Sequence, residues 1–320
     1  MTVTCEDWRQ VPASVIAPLL DAEYIRWETN LGWDIRPSWA VVEPSRASGR
    51  LPGFIARDER GQVRGWTCFL ANRDSLQVAA LVADAPAVTS ALVDAVVASD
   101  DGAATLTQDI FTLDEAPGLR DALGGRGFAL ETYRYLRAGV SRVTGAERGW
   151  RPWRLGDLTP VIRLCERAYR DSTEIRPFAP NGREDEWVEY ITQLVAGPGC
   201  GQFLPEASVV ATDGAGSHVC GAVITTRLDR STAHLAQVIV DPLSRGHGVG
   251  RGLVRAAVVL AGQLGFAQVT LLVAAGNTAG AQLYAGLGFR DAASFVAGVK
   301  RQPCRLTNAA HATGGASTLR

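Results

Sequence analysis

The chain repeats its own order of elements, and that repeat limits the folds open to it more than any other feature. In the first half, Gly53-Phe-Ile-Ala-Arg57 leads through a turn, Asp58-Glu-Arg-Gly61, to Val63-Arg-Gly-Trp-Thr-Cys-Phe-Leu70 and then Leu76-Gln-Val-Ala-Ala-Leu-Val82. In the second half, Ser208-Val-Val-Ala-Thr212, the turn Asp213-Gly-Ala-Gly216, Val219-Cys-Gly-Ala-Val-Ile-Thr-Thr226 and Ala236-Gln-Val-Ile-Val240 follow in the same order. Each series continues into an apolar helix, a strand, a short helix and a Gly-Phe pair opening a last strand, at Gly127-Phe128 and Gly288-Phe289. Alternating β-branched runs joined by Gly/Asp turns predict antiparallel strands, and a helix between strands predicts a crossover. The expected fold class is therefore α/β: two tandem copies, each a mostly antiparallel mixed sheet flanked by helices.

The length of 320 residues, 47 % of them hydrophobic, suits two such cores. The stretch Gly139–Gly149 lacks periodicity and divides the chain into expected domains at 1–140 and 149–303, with 304–320 a disordered tail. Leu253, Ala256, Ala257, Leu260 and Leu264 predict one apolar helix stripe. Asp157 or Thr159 is expected to cap a helix reaching Tyr169, and Arg183–Val195 reads as another helix. A formal net charge of −1 supplies no basic field for nucleic acid or an acidic membrane. No apolar run reaches the roughly 18 residues of a membrane span. The first ten residues do not read as a signal peptide, so the expected location is cytoplasmic. Six scattered cysteines and four histidines show no metal-ligand spacing, and no metal is expected. Lys300 is the only lysine, which leaves none for a G-K-[ST] phosphate loop.

Chemistry concentrates after the strand ending at Val240, in Asp241-Pro-Leu-Ser-Arg-Gly-His-Gly-Val-Gly-Arg-Gly252, which runs straight into the apolar helix. A glycine-rich turn at a helix N-terminus aims several amides at one point, and the helix end adds about half a positive charge. Arg245 adds a full one, and a pyrophosphate is the natural guest. Neither register of a dinucleotide G-x-G-x-x-G fits, because the third glycine falls on Arg251 or on Leu253. What fits is R-x-x-G-x-G at Arg245, Gly248 and Gly250.

In this pattern the sequence resembles the GNAT superfamily of N-acetyltransferases. A second segment agrees: Asn277, then Leu283-Tyr284 and Gly288-Phe289, with Gly280 where the family usually has alanine. The resemblance is strong over about 150–297 and extends to 1–140 through strand order alone. It implies acetyl-CoA or another acyl-CoA as acyl donor and a small-molecule amine as acceptor. By the same resemblance, main-chain groups of Val238, Ile239 and Val240 pair with the pantetheine arm. Arg245, Gly246, His247, Gly248, Val249 and Gly250 hold the pyrophosphate, and Asn277 bonds the cofactor or caps its helix. Tyr284 is the expected catalytic residue, because a phenol with a pKa near 10 stays protonated and can donate to the leaving thiolate.

The group that deprotonates the amine is left open among His234, read as a surface residue, Asp171 and Glu174 after the first helix of the second half, and an ordered water. Gln237 lies on the key strand but cannot act as a base. In the first half, Ala83-Asp-Ala-Pro-Ala-Val-Thr-Ser90 carries no glycine or arginine, and Leu123 takes the position of Tyr284. That half is therefore expected to be catalytically silent. Its five tryptophans, Trp8, Trp27, Trp33, Trp39 and Trp66, are read as core or as the lining of an acceptor pocket. Resemblance to tandem relatives implies thiol or natural-product biosynthesis, or resistance by acylation. It also leaves open an acyl carrier protein as donor, acyl-chain decarboxylation, and a non-catalytic acyl-CoA binder.

Overall fold

A computed structural model describes residues 2–71, 75–142, 149–170, 172, 178–179, 181–197, 200–213 and 218–302. The proposed tail, 304–320, and the candidate bases Asp171 and Glu174 lie outside the described residues.

The first half holds β1 (Thr4–Asp7), α1 (Ala13–Leu31), α2 (Arg36–Trp39), α3 (Val42–Ala47), β2 (Gly53–Arg57), β3 (Val63–Ala71), β4 (Ser75–Ala83), α4 (Pro86–Ala98), α5 (Asp100–Ala104), β5 (Thr107–Leu113), α6 (Leu119–Gly124) and β6 (Ala129–Gly139). The second half holds β7 (Arg151–Pro152), α7 (Leu158–Tyr169), α8 (Glu184–Ala196), β8 (Gln202–Phe203), β9 (Val209–Thr212), β10 (Val219–Arg227), β11 (Thr232–Val240), α9 (Val249–Gln263), β12 (Gln268–Ala274), α10 (Thr278–Gly286) and β13 (Arg290–Arg301). The predicted β-runs are all strands.

These elements form one 13-stranded sheet in the order β1-β2-β3-β4-β5-β13-β6-β12-β11-β10-β9-β7, with β8 added beside β10. The order reads the same from either end, apart from the exchange at its centre. The last strand of each half leaves its own sheet: β13 lies against β5 from Phe295↔Leu113 to Arg301↔Thr107, and β6 lies against β12 from Gln268↔Gly139 to Ala274↔Tyr133. The two exchanged strands also pair with each other. A parallel pair needs a crossover and leaves its outer strand with an open edge, so each half closes the other's edge. A left-handed glycine stands two residues before each exchanged strand, Gly127 at φ 79° and Gly288 at φ 89°.

Where the halves meet, Leu31, Trp33 and Leu113 of the first pack with Leu228 and Phe295 of the second. Trp27 and Trp33 meet edge to face at 5.1 Å in this interior, whereas Trp8 stacks on Trp66 at 5.9 Å in a separate core of the first half. The α9 stripe is wider than the predicted one. Val254 and Val258 are fully buried with Leu253, Ala256 and Ala257, whereas Leu264 is 45 % exposed at the helix end. Asp157 does not cap α7; its carboxylate accepts the Arg154 backbone N–H at 2.7 Å and pairs with Arg151 at 2.6 Å. That ion pair accounts for a carboxyl held below its ordinary range despite the opposing effect of burial. The helix expected at Arg183–Val195 runs one residue later at each end. Among the described residues no helix is long and apolar enough to cross a membrane.

Candidate active site

β11 and β12 run parallel only from Thr232↔Gln268 to Leu235↔Leu271. A bulge at this point is what separates them. Ile224 of β10 faces Gln237 while the next residue, Thr225, faces Leu235, so Ala236 is an extra residue that bends β11 away. Beyond it, Val238, Ile239 and Val240 keep their partners on β10 but have none on the β12 side. The gap opens into a cleft of about 850 Å³ and, deeper, a chamber of about 140 Å³.

The outer end of the cleft is the glycine loop. Gly246 and Gly248 adopt φ of 79° and 80°, and a Cβ on either would meet nothing within 4 Å. Their freedom is conformational: an L side chain at either would be strained by about 1–2 kcal/mol. Gly248 is the N-cap of α9 and offers no side-chain acceptor. The N–H groups of Val249, Gly250 and Arg251 consequently have no acceptor among the described residues, and Val249, Gly250 and Arg251 line the cleft. Gly250 has a different reason to be small, since a Cβ there would sit 3.3 Å from Leu283.

Arg245 also lines the cleft, yet its guanidinium is engaged by main chain: Nε donates to Val240 O at 3.3 Å and an Nη donates to Ala168 O at 2.9 Å. It straps the loop to β11 and the end of α7. Arg251 adds positive charge to the same cleft, and Arg167 lines it with its charge offset by an ion pair to Asp241 at 3.1 Å. His247 is exposed and, unlike Gly246 and Gly248, is not part of the wall.

At the inner end, Val238, Asn277, Tyr169 and Tyr284 line both cavities and mark their junction. Asn277 caps α10, its Oδ1 accepting the Gly280 N–H at 2.8 Å. A Cβ at Gly280 would lie 2.9 Å from that oxygen, so the glycine that departs from the family pattern makes room for the cap. Tyr284 is 8 % exposed, packs edge to face on Phe289 at 5.9 Å, and has no hydrogen-bond partner for its hydroxyl among the described residues. Burial pushes its pKa up, which keeps the phenol protonated and fit to donate.

The chamber beyond is walled by aromatic rings. Phe178 stacks on Tyr190 at 4.9 Å and Tyr169 on Trp187 at 5.1 Å. Gln237 ties the rings to β11: its amide donates to the Tyr169 hydroxyl at 3.0 Å and accepts from the Tyr190 hydroxyl at 3.1 Å. None of the five tryptophans of the first half lines either cavity.

His234 needs correction. It is not a surface residue: it lies near the start of β11, two residues after Thr232, and the ring is 2 % exposed. Nδ1 bonds the Thr270 hydroxyl at 2.9 Å, and the ring stacks on Tyr135. Burial drags its pKa down to about 3, which leaves a very weak base at neutral pH. Sequence reasoning also missed Tyr133 and Glu131, which line the chamber and the cleft respectively from β6. They come from the other half, and no local pattern announces a strand exchange.

Three comparisons bear on this geometry. Residues 166–289 match the model of the acetyltransferase (GNAT) family, a segment that contains the loop, α9, β12 and α10. A mycothiol acetyltransferase of Pseudarthrobacter chlorophenolicus is 29 % identical over 189 residues, covering 51 % of this chain and 58 % of that protein. The match thus spans little more than half of the relative's length. Among solved structures, a GNAT N-acetyltransferase from Sphaerobacter thermophilus aligns with a TM-score of 0.60 at 16 % identity, covering 78 % of this chain and 80 % of that one. A tandem GNAT protein from the clavulanic acid biosynthesis pathway aligns with a TM-score of 0.57 at 14 % identity, over 94 % of this chain and 98 % of that one. At such identities these two structures speak for the fold.

Proposed function

We propose, from the match of residues 166–289 to the acetyltransferase family, that the chain is an acyl-CoA-dependent N-acyltransferase acting on a small-molecule amine by direct transfer. In this reading 149–303 is the catalytic half, and 1–140 is a degenerate copy that buttresses it. One observation carries the reading: a single cleft joins a set of unsatisfied helix-terminal N–H groups at one end to a protonated phenol at the other.

The residues fit the donor chemically. The N–H groups at the start of α9, with Arg167 and Arg251 beside them, suit a diphosphate. The edge of β11 past Leu235 suits the amides of an extended pantetheine arm, added as a further strand would be. The thioester then lies near Tyr284. A neutral amine attacks the carbonyl carbon, the C–N bond forms and the C–S bond breaks, Tyr284 protonates the leaving sulfur, and the proton lost by the new amide nitrogen restores the phenol. The cationic phosphate end favours free coenzyme A over a carrier protein, whose phosphopantetheine has no diphosphate. The mycothiol and clavulanic acid names attached to similar proteins support a small acceptor and a role in thiol or natural-product biosynthesis.

The decisive experiment is titration calorimetry with acetyl-CoA. The wild-type chain is expected to bind, and Gly248→Glu to weaken binding by more than about 100-fold, because a strained backbone and an added anion both oppose a diphosphate there. Equal affinity in the two proteins would falsify the assignment of this loop.

A further inference from the structure

We propose that Glu131, a residue of the first half, takes the proton from the acceptor amine in the cleft of the second. The inference rests on the acyltransferase reading above. Strand exchange places β6 along β12 as far as Ala274↔Tyr133, and Ala275 N–H continues the ladder by donating to Thr132 O at 2.7 Å. The chain then turns at Gly276 and Asn277 into α10. The Glu131 carboxylate lies over that turn, with Oε1 3.6 Å from where a Gly276 Cβ would stand.

Strand alternation sets Glu131, Tyr133 and Tyr135 on one face of β6. Tyr135 stacks on His234, Tyr133 lines the inner chamber, and Glu131 lines the cleft that also contains Asn277 and Tyr284. This face of β6 therefore crosses the junction where the thioester is expected.

The other ionisable groups on the two walls are poor bases. Arg167, Arg245 and Arg251 cannot accept a proton, and phenols are protonated at neutral pH. Burial holds the Cys200 thiol up at about 12 and His234 down at about 3. Glu131 is the one carboxylate lining either cavity among the described residues. In the resulting sequence the acceptor ammonium gives one proton to Glu131, and the freed amine attacks the thioester. C–N forms and C–S breaks, Tyr284 protonates the thiolate, and the tyrosinate takes the remaining proton lost by the new amide nitrogen. Glu131 returns its proton to solvent.

The test compares wild type, Glu131→Gln and Glu131→Asp in two measurements: acetyl-CoA affinity by calorimetry, and thiol release from acetyl-CoA with a panel of primary amines across pH. For Glu131→Gln we expect kcat/KM at neutral pH to fall by about 100-fold and the acid limb of its pH profile to vanish. Affinity for acetyl-CoA should stay within about twofold. Glu131→Asp should recover the acid limb and part of the rate, which a residue that merely braces the Gly276 turn would not do. A Gln variant within about threefold of wild type with an unchanged pH profile overturns the assignment, and so does a rate that falls only in step with acetyl-CoA affinity. A wild-type chain that does not bind acetyl-CoA overturns the acyltransferase reading itself.

Discussion

Set side by side, the two halves share the geometry that opens a cleft and differ in everything that would use one. β4 carries the same bulge as β11: Cys68 faces Ala80 and Phe69 faces Val78, leaving Ala79 extra where β11 has Ala236. β4 and β5 likewise stay parallel for four residue pairs, ending at Val78↔Ile110, as β11 and β12 do. The divergence begins at the helix. In the second half, residues 241–248 intervene before α9, whereas in the first only 84–85 separate β4 from α4. Ala85 O takes the N–H groups of Val88 and Thr89, and Pro86 has none to offer. Pro86 also abuts the start of α6, its Cβ lying 3.1 Å from where a Gly118 Cβ would be. At the position of Tyr284 stands Leu123, 1 % exposed in the core. The sheet supplies a gap in both halves, and only in the second do loop residues and a phenol line it.

The comparison breaks most severely if the halves are parted. Residues 149–302 produced alone would leave β12 without β6 and β13 without β5, exposing two long edges that the intact chain pairs. We expect that fragment to be insoluble or unfolded by circular dichroism. A full chain cut by a protease engineered into 143–148 should instead stay together on gel filtration, held by the exchanged strands. A soluble, cooperatively melting fragment would show that each half can close its own sheet.

Exchanging the paired side chains sharpens the contrast next. Tyr284→Phe should lower kcat by about 100-fold or more while leaving acetyl-CoA affinity and melting temperature near wild type. Leu123→Ala should do the reverse, costing about 2–5 kcal/mol of stability with little effect on kcat at a temperature where the variant is folded. Urea titration and steady-state kinetics on both proteins separate the outcomes. A phenylalanine variant at full rate would remove Tyr284 from the chemistry.

Much of this contrast is legible in the sequence, because the relevant signals are local. The β-runs, the Gly-Phe pairs before β6 and β13, the loop from Asp241 and the phenol at 284 are each written in a few adjacent residues. What escaped reading depends on long-range pairing. Nothing adjacent to His234 announces its burial, which comes from Tyr135 and Trp33, about 100 and 200 residues upstream. Glu131 carries no local signal at all, and only β6 crossing into the second half puts it in the cleft. The stripe on α9 is wider than its spacing predicts for a similar reason, since sheet contact on a broad face buries Val254 and Val258 as well.

The smallest effect concerns a matched pair in the two parallel ladders. Gln77↔Asp109 in the first half occupies the register of His234↔Thr270 in the second. The second pair is satisfied by its own hydrogen bond, whereas Asp109, 5 % exposed, keeps one carboxylate oxygen without a partner. Burial above all pushes the Asp109 pKa from 3.8 up to about 7, with Arg301 pulling it down and Glu186 pushing it up. Its folded-state value therefore lies above its unfolded one. The native state then prefers the protonated acid, so the side chain costs nothing below about pH 4, and the penalty grows as pH rises and is complete above about 7. Replacing Asp109 with Asn should thus leave stability unchanged near pH 4 and raise it by about 2 kcal/mol at pH 8. Thr270→Val is the control: it removes the bond to His234, a ring that does not titrate between pH 5 and 8, and should cost about 1 kcal/mol at both ends of that range. Thermal melts of the three proteins at pH 5 and pH 8 decide the matter. A gain from Asp109→Asn that is the same at both pH values would mean the carboxylate is already ionised and compensated, and that the two ladders are equally well satisfied.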